Sequence, residues 1–90
     1  MNTPKFDLGQ LMITPNALST LAPPEIASAL SRHLHGDWGD CCPDDRAAND
    51  AALSEGSRLF SVYHTANGTK FWIISEWSRE LTTVLLPEDY

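Results

Sequence analysis

The feature that most constrains the fold is the pair Asn67-Gly68, which stands between two runs rich in β-branched and aromatic residues. These runs are residues 58–64, RLFSVYH, and residues 70–77, KFWIISEW. An Asn-Gly pair in this setting predicts a β-hairpin with a type I′ turn, because both central residues of that turn need a positive φ. A third such run, residues 81–87, follows closely. The last part of the chain therefore predicts a three-stranded antiparallel meander.

Prolines mark the starts of helices in the first 55 residues. Thr14 is the predicted N-cap of a short first helix, with Pro15 as its first residue. A second helix begins at Pro23 and Pro24, with Gly36 placed to end it, and its apolar residues recur at spacings of three and four. These residues are Ile26, Ala27, Leu30 and Leu34.

A third helix is predicted from Pro43 to Gly56. It has acids in its first turn, where the helix dipole favours them. Its small residues form a predicted packing face that consists of Ala47, Ala48, Ala51, Ala52 and Leu53. The apolar residues 6–13, FDLGQLMI, are compatible with a short extra strand, although Gly9 and Gln10 weaken that pattern.

Together these elements predict one α+β domain over residues 1–90, with two or three short helices packed on one face of the meander. A chain of 90 residues is too short for two cores. It has no apolar run long enough for a membrane helix, and its start lacks the layout of a signal peptide. Adjacent Cys41 and Cys42 fit a reducing compartment, so we expect a cytoplasmic protein.

Negative charge is concentrated between Asp37 and Glu55. Twelve acids and six bases give the chain a net charge of −6, which disfavours direct binding of DNA or RNA. The concentrated acids indicate either a solvated loop and helix face, or a patch that docks on a basic protein surface and imitates part of a phosphate field. The predicted contact residues are Asp37, Trp38, Asp40, Asp44, Asp45 and Asp50.

Trp38 lies between Gly36-Asp37 and Gly39-Asp40 in the middle of this acidic segment. It is either a core residue that folds back over the helices or an exposed anchor in an interface, where tryptophan is enriched. The neighbouring glycines indicate a tightly turned backbone in either case.

Metal-ligating residue types are present, but their spacing does not predict a metal site. The cysteines are adjacent, and a helix directs His33 and His35 about 200° apart. Histidines at a surface or a helix end are the expected alternative. No cofactor motif is recognisable either.

The candidate catalytic residues are His64, Arg58 and Tyr63, with Lys70 nearby. Small ribonuclease toxins use a set of such residue types for general acid-base catalysis. The acidic balance opposes an RNA substrate. Cys41 and Cys42 are poor nucleophiles in this setting, because neighbouring acids raise the pKa of a thiol. At the C-terminus, the run LTTVLL is either a docked strand or an edge strand that pairs with another protein or a second copy.

Several segments carry a resemblance: RHLHGDWGD at 32–40, NDAALSEGSR at 49–58, KFWIISEWSR in the hairpin, and the ending TTVLLPEDY. Together they resemble a family of short, functionally uncharacterised proteins found in bacterial, plasmid and phage genomes. GDWGD and LLPEDY are the most specific of these motifs. The resemblance implies a mobile genetic element, where small acidic proteins often inhibit host defence systems or act as antitoxins. It implies no catalytic residue.

The sequence therefore predicts a non-enzymatic interaction protein that binds and blocks a basic, nucleic-acid-handling host protein, with an anti-CRISPR or anti-restriction inhibitor as its most concrete form. The alternatives are a small nuclease or toxin-like enzyme and an antitoxin-like homodimer. A monomer and a homodimer are both compatible with the sequence, and we expect no contact with a membrane or directly with nucleic acid.

Overall fold

A computed structural model describes residues 3–90 and shows an α+β fold in which helices precede most of a four-stranded sheet. The elements are β1 (Gln10–Ile13), α1 (Pro15–Thr20), α2 (Pro23–Leu34), α3 (Pro43–Glu55), β2 (Leu59–His64), β3 (Lys70–Ser75), β4 (Leu81–Leu85) and a 3₁₀ turn (Pro87–Asp89). None of the helices in the described part of the chain is long and apolar enough to cross a membrane.

The predicted helix starts are confirmed. Thr14 caps α1, since its hydroxyl accepts the backbone N–H of Ala17 at 3.2 Å. The helices α2 and α3 each begin at a proline. A backbone N–H at that position has no partner within the helix, so its absence from proline costs nothing there. Gly56 ends α3 in the left-handed conformation, with φ +76°.

The predicted hairpin joins β2 to β3, but the type I′ turn is wrong. Thr65 N–H bonds to Thr69 O at 2.9 Å and Gly68 N–H bonds to Thr65 O at 2.9 Å, so the loop has three residues. Such a loop needs only one left-handed residue after a right-handed turn. Gly68 takes that position with φ +90°, whereas Asn67 has no positive φ.

The sheet is mixed, with the order β1-β4-β3-β2. The strands β2, β3 and β4 form the predicted antiparallel meander, and β1 adds a fourth strand parallel to β4. The three-stranded description was thus incomplete. The last strand is not an edge, because β4 has β1 on one side and β3 on the other. The idea that this strand pairs with another molecule is therefore wrong.

Alternate residues of β2, β3 and β4 face α1 and α2 and form the main core. The helix α2 contributes Ile26, Ala29 and His33, whereas Ala27, predicted to be on its apolar face, is exposed. In α3 the buried residues are Asn49 and Ala52. The predicted small-residue packing face of α3 is wrong for Ala47, Ala48 and Ala51, which are exposed.

Candidate interaction surface

The acidic loop, residues 36–42, lies along the outer edge of β2. Val62 N–H donates to Trp38 O at 3.1 Å, and Asp40 N–H donates to Val62 O at 2.7 Å. Gly39 forms an isolated parallel bridge with Val62 at this point, with φ +73°. A side chain at Gly39 would overlap the carbonyl oxygen of Val62. The glycine therefore permits the close approach of the two backbones.

The helix α3 completes the cover of this edge through Asn49. Its Nδ2 donates to Phe60 O at 2.7 Å, and its Oδ1 accepts Phe60 N–H at 3.0 Å. Asn49 is 4% exposed, and its amide replaces both hydrogen bonds that a further strand would make to Phe60. The acidic loop and α3 together leave Phe60 and Val62 without free backbone groups.

Trp38 is part of the core, so its predicted role as an exposed partner anchor is wrong. It is 4% exposed and packs with Cys41, Ala52 and Leu59. Its Nε1–H donates to Asp50 Oδ1 at 2.9 Å, which satisfies the one polar group of the indole. Because Trp38 belongs to the acidic loop and its indole packs against α3, this side chain holds the loop on the helix.

Asp37 is held by contacts within the chain. Its carboxylate forms a bidentate pair with Arg32, at 2.8 Å to Nε and 3.2 Å to the terminal nitrogen, and accepts Gly39 N–H at 3.1 Å. The hydrogen bond from Arg32 is the main reason that the pKa of Asp37 is lowered. The side chain remains 54% exposed. Asp37 therefore shapes the acidic loop while still contributing to the surface field.

Asp40 pairs with His64 at the end of β2, with 2.7 Å between Oδ2 and Nδ1. Asp40 is 61% exposed and His64 is 39% exposed. Both side chains therefore reach solvent. His64 lies opposite Lys70 in the β2–β3 ladder.

Asp44, Asp45 and Glu55 are exposed and make no hydrogen bond or ion pair among residues 3–90. The only base within α3, Arg46, points its guanidinium at backbone oxygens of the acidic loop. It donates to Cys41 O at 3.0 Å and to Gly39 O at 3.2 Å. Arg46 therefore stabilises the acidic loop, and the carboxylates of α3 remain available to a partner.

Two of these carboxylates, Asp44 and Glu55, share an exposed helix face, whereas Asp45 lies about 100° away around the helix, on the side of the buried Asn49. Asp44, Ala48, Ala51 and Glu55 follow one another at spacings of four, three and four residues, which places them on one side of α3. All of them point away from the buried Asn49. Among the predicted contact residues, Asp44 and Asp45 therefore have carboxylates without a partner in the described part of the chain. The carboxylates of Asp37, Asp40 and Asp50 are bonded within the chain, and Trp38 is buried.

A buried network of polar side chains lies beside this surface, and the sequence analysis did not predict its burial. His33, expected at the surface or a helix end, is 0% exposed. Its Nδ1 lies 2.6 Å from Ser61 Oγ, and its Nε2 lies 2.9 Å from Ser75 Oγ. Ser75 Oγ is hydrogen-bonded to Thr82 Oγ1, and the Thr82 hydroxyl donates to Leu8 O at 2.7 Å. His33 follows Ile26 by seven residues and Ala29 by four, so helical spacing was a usable signal.

The network determines the tautomer of His33. Since Thr82 donates to Leu8 O, Ser75 must donate to Thr82, and Ser75 can only accept from His33. The proton therefore resides on Nε2, and Nδ1 accepts from Ser61. Burial is the main reason that the pKa of His33 is lowered to about 4, with a smaller effect of the positive charge on Arg79. The imidazole is neutral at physiological pH.

The predicted acid-base set is not assembled in one place. Tyr63 is buried, and its hydroxyl donates to Asp37 O at 2.7 Å. Burial also raises the pKa of Tyr63. Arg58 precedes β2, roughly 20 Å along the chain from His64, and bonds to Tyr90 Oη at 3.0 Å. An open pocket of about 210 Å³ does bring His64 together with Arg32 and Glu25.

The cysteines occupy different environments. Cys41 is buried, and its Sγ lies 3.2 Å from Phe60 O, whereas Cys42 is exposed. Burial is the main reason that the pKa of Cys41 is raised, which lowers its reactivity as a nucleophile. In the part of the chain that the structure describes, no three His, Cys, Asp or Glu side chains come together to hold a metal ion.

Comparison with protein-family models, curated proteins and solved structures finds no match to this chain. The family resemblance of GDWGD and TTVLLPEDY stays a prediction from the sequence.

Proposed function

We propose that the protein is a non-enzymatic interaction protein that binds a basic surface of a nucleic-acid-handling protein through the exposed face of α3 and the acidic loop. The observation that carries this proposal is that Asp44, Asp45 and Glu55 are exposed and unpaired among the described residues. Free carboxylates on a helix can pair with a complementary basic surface without first breaking an internal ion pair.

The exposed alanines of α3 support the proposal that this helix binds a basic surface. Ala48 and Ala51 lie between Asp44 and Glu55, so the centre of this face carries only methyl groups. A partner backbone or a flat basic surface can approach such a face closely while its lysines and arginines reach the flanking carboxylates. We infer that Asp37, Asp40 and Asp50 add to the attracting field, while Trp38 acts from the core by holding the acidic loop in place.

The most concrete form of this function is inhibition of a host defence complex, of anti-CRISPR or anti-restriction type. A nucleic-acid-binding groove is basic because it must attract phosphates. A surface with several carboxylates in fixed positions can compete for part of such a groove. The setting on a mobile genetic element rests on the sequence resemblance alone.

The test is a pull-down of the tagged protein from host lysate at low and high salt, followed by mass spectrometry. A basic, nucleic-acid-binding complex that elutes as salt rises supports the proposal, since exposed charge pairs are screened within about 8 Å at physiological ionic strength. Binding that is independent of salt, or a captured partner without a basic surface, contradicts it.

Charge reversal then locates the contact. The variant with Asp44→Lys and Asp45→Lys should lose binding while its circular dichroism stays that of the parent. The matched control carries Glu80→Lys and Glu88→Lys, which change the net charge equally at two exposed acids outside the acidic loop and α3. If both double variants lose binding equally, net charge and not this surface is responsible.

The alternative is a small enzyme or toxin that acts on nucleic acid, and one observation favours it. Asp40 holds the Nδ1 of His64, which leaves Nε2 to accept a proton beside a pocket that Arg32 also lines. A His64→Ala variant that folds normally but loses nuclease or toxic activity would support the enzyme. Unchanged activity in that variant would remove His64 from any mechanism.

A further inference from the structure

The outer edge of β1 is open, in contrast to the edge of β2. Gln10 N–H donates to Glu80 O at 2.9 Å and Thr14 N–H donates to Val84 O at 3.0 Å, so even-numbered residues of β1 point their backbone groups at β4. Backbone groups alternate sides along a strand. The N–H and C=O groups of Leu11 and Ile13 therefore point away from the sheet.

Nothing among residues 3–90 covers this edge. The helix α1 follows β1 directly but packs over β4. The strand is short, but Gln10–Ile13 contains neither a charge nor a proline, which are two features that usually protect an edge. Leu11 is 40% exposed and Met12 is 46% exposed. An uncharged edge with exposed apolar side chains favours pairing with another strand.

The open edge is complementary to itself. If two copies meet with antiparallel β1 strands and a two-fold axis at Met12, Leu11 of each copy lies opposite Ile13 of the other. Directly opposed residues with outward groups exchange both N–H···O bonds. This register makes four hydrogen bonds and leaves neither Leu11 nor Ile13 with a free outward group.

The charge distribution also fits a second copy of the chain. A net charge of −6 makes two copies repel each other at most relative orientations. The acidic loop and α3, however, lie on β2, at the far end of the sheet from β1. Pairing at β1 separates the two β2 edges by seven strand spacings, roughly 34 Å, which exceeds the Debye length several times over.

We propose that the protein forms a homodimer through antiparallel pairing of β1, in the register that places Met12 opposite Met12, giving a continuous eight-stranded sheet. The dimer leaves both acidic surfaces accessible at its two ends. It is independent of the proposed partner, since no residue of the acidic loop or α3 takes part.

Sedimentation equilibrium over micromolar to millimolar protein concentrations, compared with a Leu11→Pro variant, tests the pairing. The proline removes an N–H that has no partner among residues 3–90, and an edge strand tolerates such a proline. We expect the parent protein to form dimers and the dissociation constant of Leu11→Pro to be at least about tenfold higher. Each copy loses one N–H donor, so the symmetric dimer loses two hydrogen bonds.

A Leu11→Thr variant separates strand pairing from apolar clustering. It keeps the backbone donor and the strand preference but removes apolar surface. It should remain dimeric at concentrations at which Leu11→Pro is monomeric. A parent protein that is monomeric at millimolar concentration, or a dimer unaffected by Leu11→Pro, overturns the proposal.

Disulfide trapping tests the register. In a Cys42→Ser background, Met12→Cys places two thiols directly opposite each other across the two-fold axis and should cross-link rapidly under mild oxidation. Gln10→Cys is the matched control, since it shares the face of Met12 but lies opposite Thr14. Its two copies are then roughly 14 Å apart. Equal cross-linking of both variants, or none at Met12→Cys, contradicts this register.

Discussion

The two edges of the sheet show how one small protein can treat the same structural problem in opposite ways. At β2 the outward groups of Phe60 and Val62 are all bonded, by Asn49 and by the backbone of the acidic loop. At β1 the outward groups of Leu11 and Ile13 have no partner among residues 3–90. The covered edge supports an acidic surface, and the open edge remains available for strand pairing.

The largest effect is expected from Gly39→Ala, which forces the acidic loop away from β2. The new Cβ would overlap Val62 O, so the bridge between the two backbones cannot persist. We expect a loss of about 3 kcal/mol or more in the free energy of unfolding, from broken hydrogen bonds and the displaced loop. Urea denaturation followed by fluorescence of the tryptophans measures it.

Gly56→Ala is the control for this substitution. Gly56 has φ +76°, close to the +73° of Gly39, but a Cβ there meets no atom within 4 Å. It should lose only the conformational term of about 1 kcal/mol. Equal losses in the two variants would show that the positive φ and not the close approach to β2 sets the cost.

A comparable effect is expected from pH, through the network that joins the strands between the two edges. The unfolded chain protonates His33 near pH 6.5, whereas the folded pKa is about 4. The unfolded state therefore binds more protons between these values, and the free energy of unfolding falls as the pH falls from 6.5 to 4. The loss attributable to His33 reaches about 3 kcal/mol.

Urea titrations at several pH values give this slope. His33→Gln should flatten it between pH 6.5 and 4, in addition to lowering stability at every pH. A slope that survives His33→Gln would assign the pH dependence to another group.

A smaller loss is expected from Asn49→Ala, which uncovers Phe60 at the edge of β2. Removing the amide leaves the half-buried Phe60 N–H without a partner and Phe60 O with only the thiol of Cys41, at a cost of about 2 kcal/mol. Asn16→Ala is the control, because Asn16 is exposed and donates a single bond to Asp89. Its loss should stay below about 1 kcal/mol. Similar losses would mean that Asn49 does not protect the edge.

The smallest effect is expected from Leu11→Pro on the stability of the monomer. Relative to Leu11→Ala, the proline should change the free energy of unfolding by less than about 1 kcal/mol, because no hydrogen bond in the described part of the chain uses that N–H. Denaturation at a concentration below self-association measures the difference. A much larger loss would show that the outward side of β1 has a partner within the chain.

How much of the candidate site was predictable depends on which residues are considered. The exposed carboxylates of Asp44 and Asp45 follow from their place in the first turn of α3, where acids are favoured and solvent is near. The burial of Trp38 does not follow, because a tryptophan between glycines fits either a core or an interface. The pairing of Asp40 with His64 joins residues 24 positions apart, which no local pattern encodes.

Local sequence patterns predict the helix starts at prolines, the helix end at Gly56, the hairpin at Gly68 and the α+β class. These features depend on backbone preferences and hydrophobic periodicity, which act over a few residues. No local pattern predicts that β1 lies parallel to β4, that His33 joins a buried network, or that the acidic loop covers β2. Those outcomes depend on contacts between residues far apart in sequence, where packing and hydrogen-bond satisfaction select one arrangement among several that local preference allows.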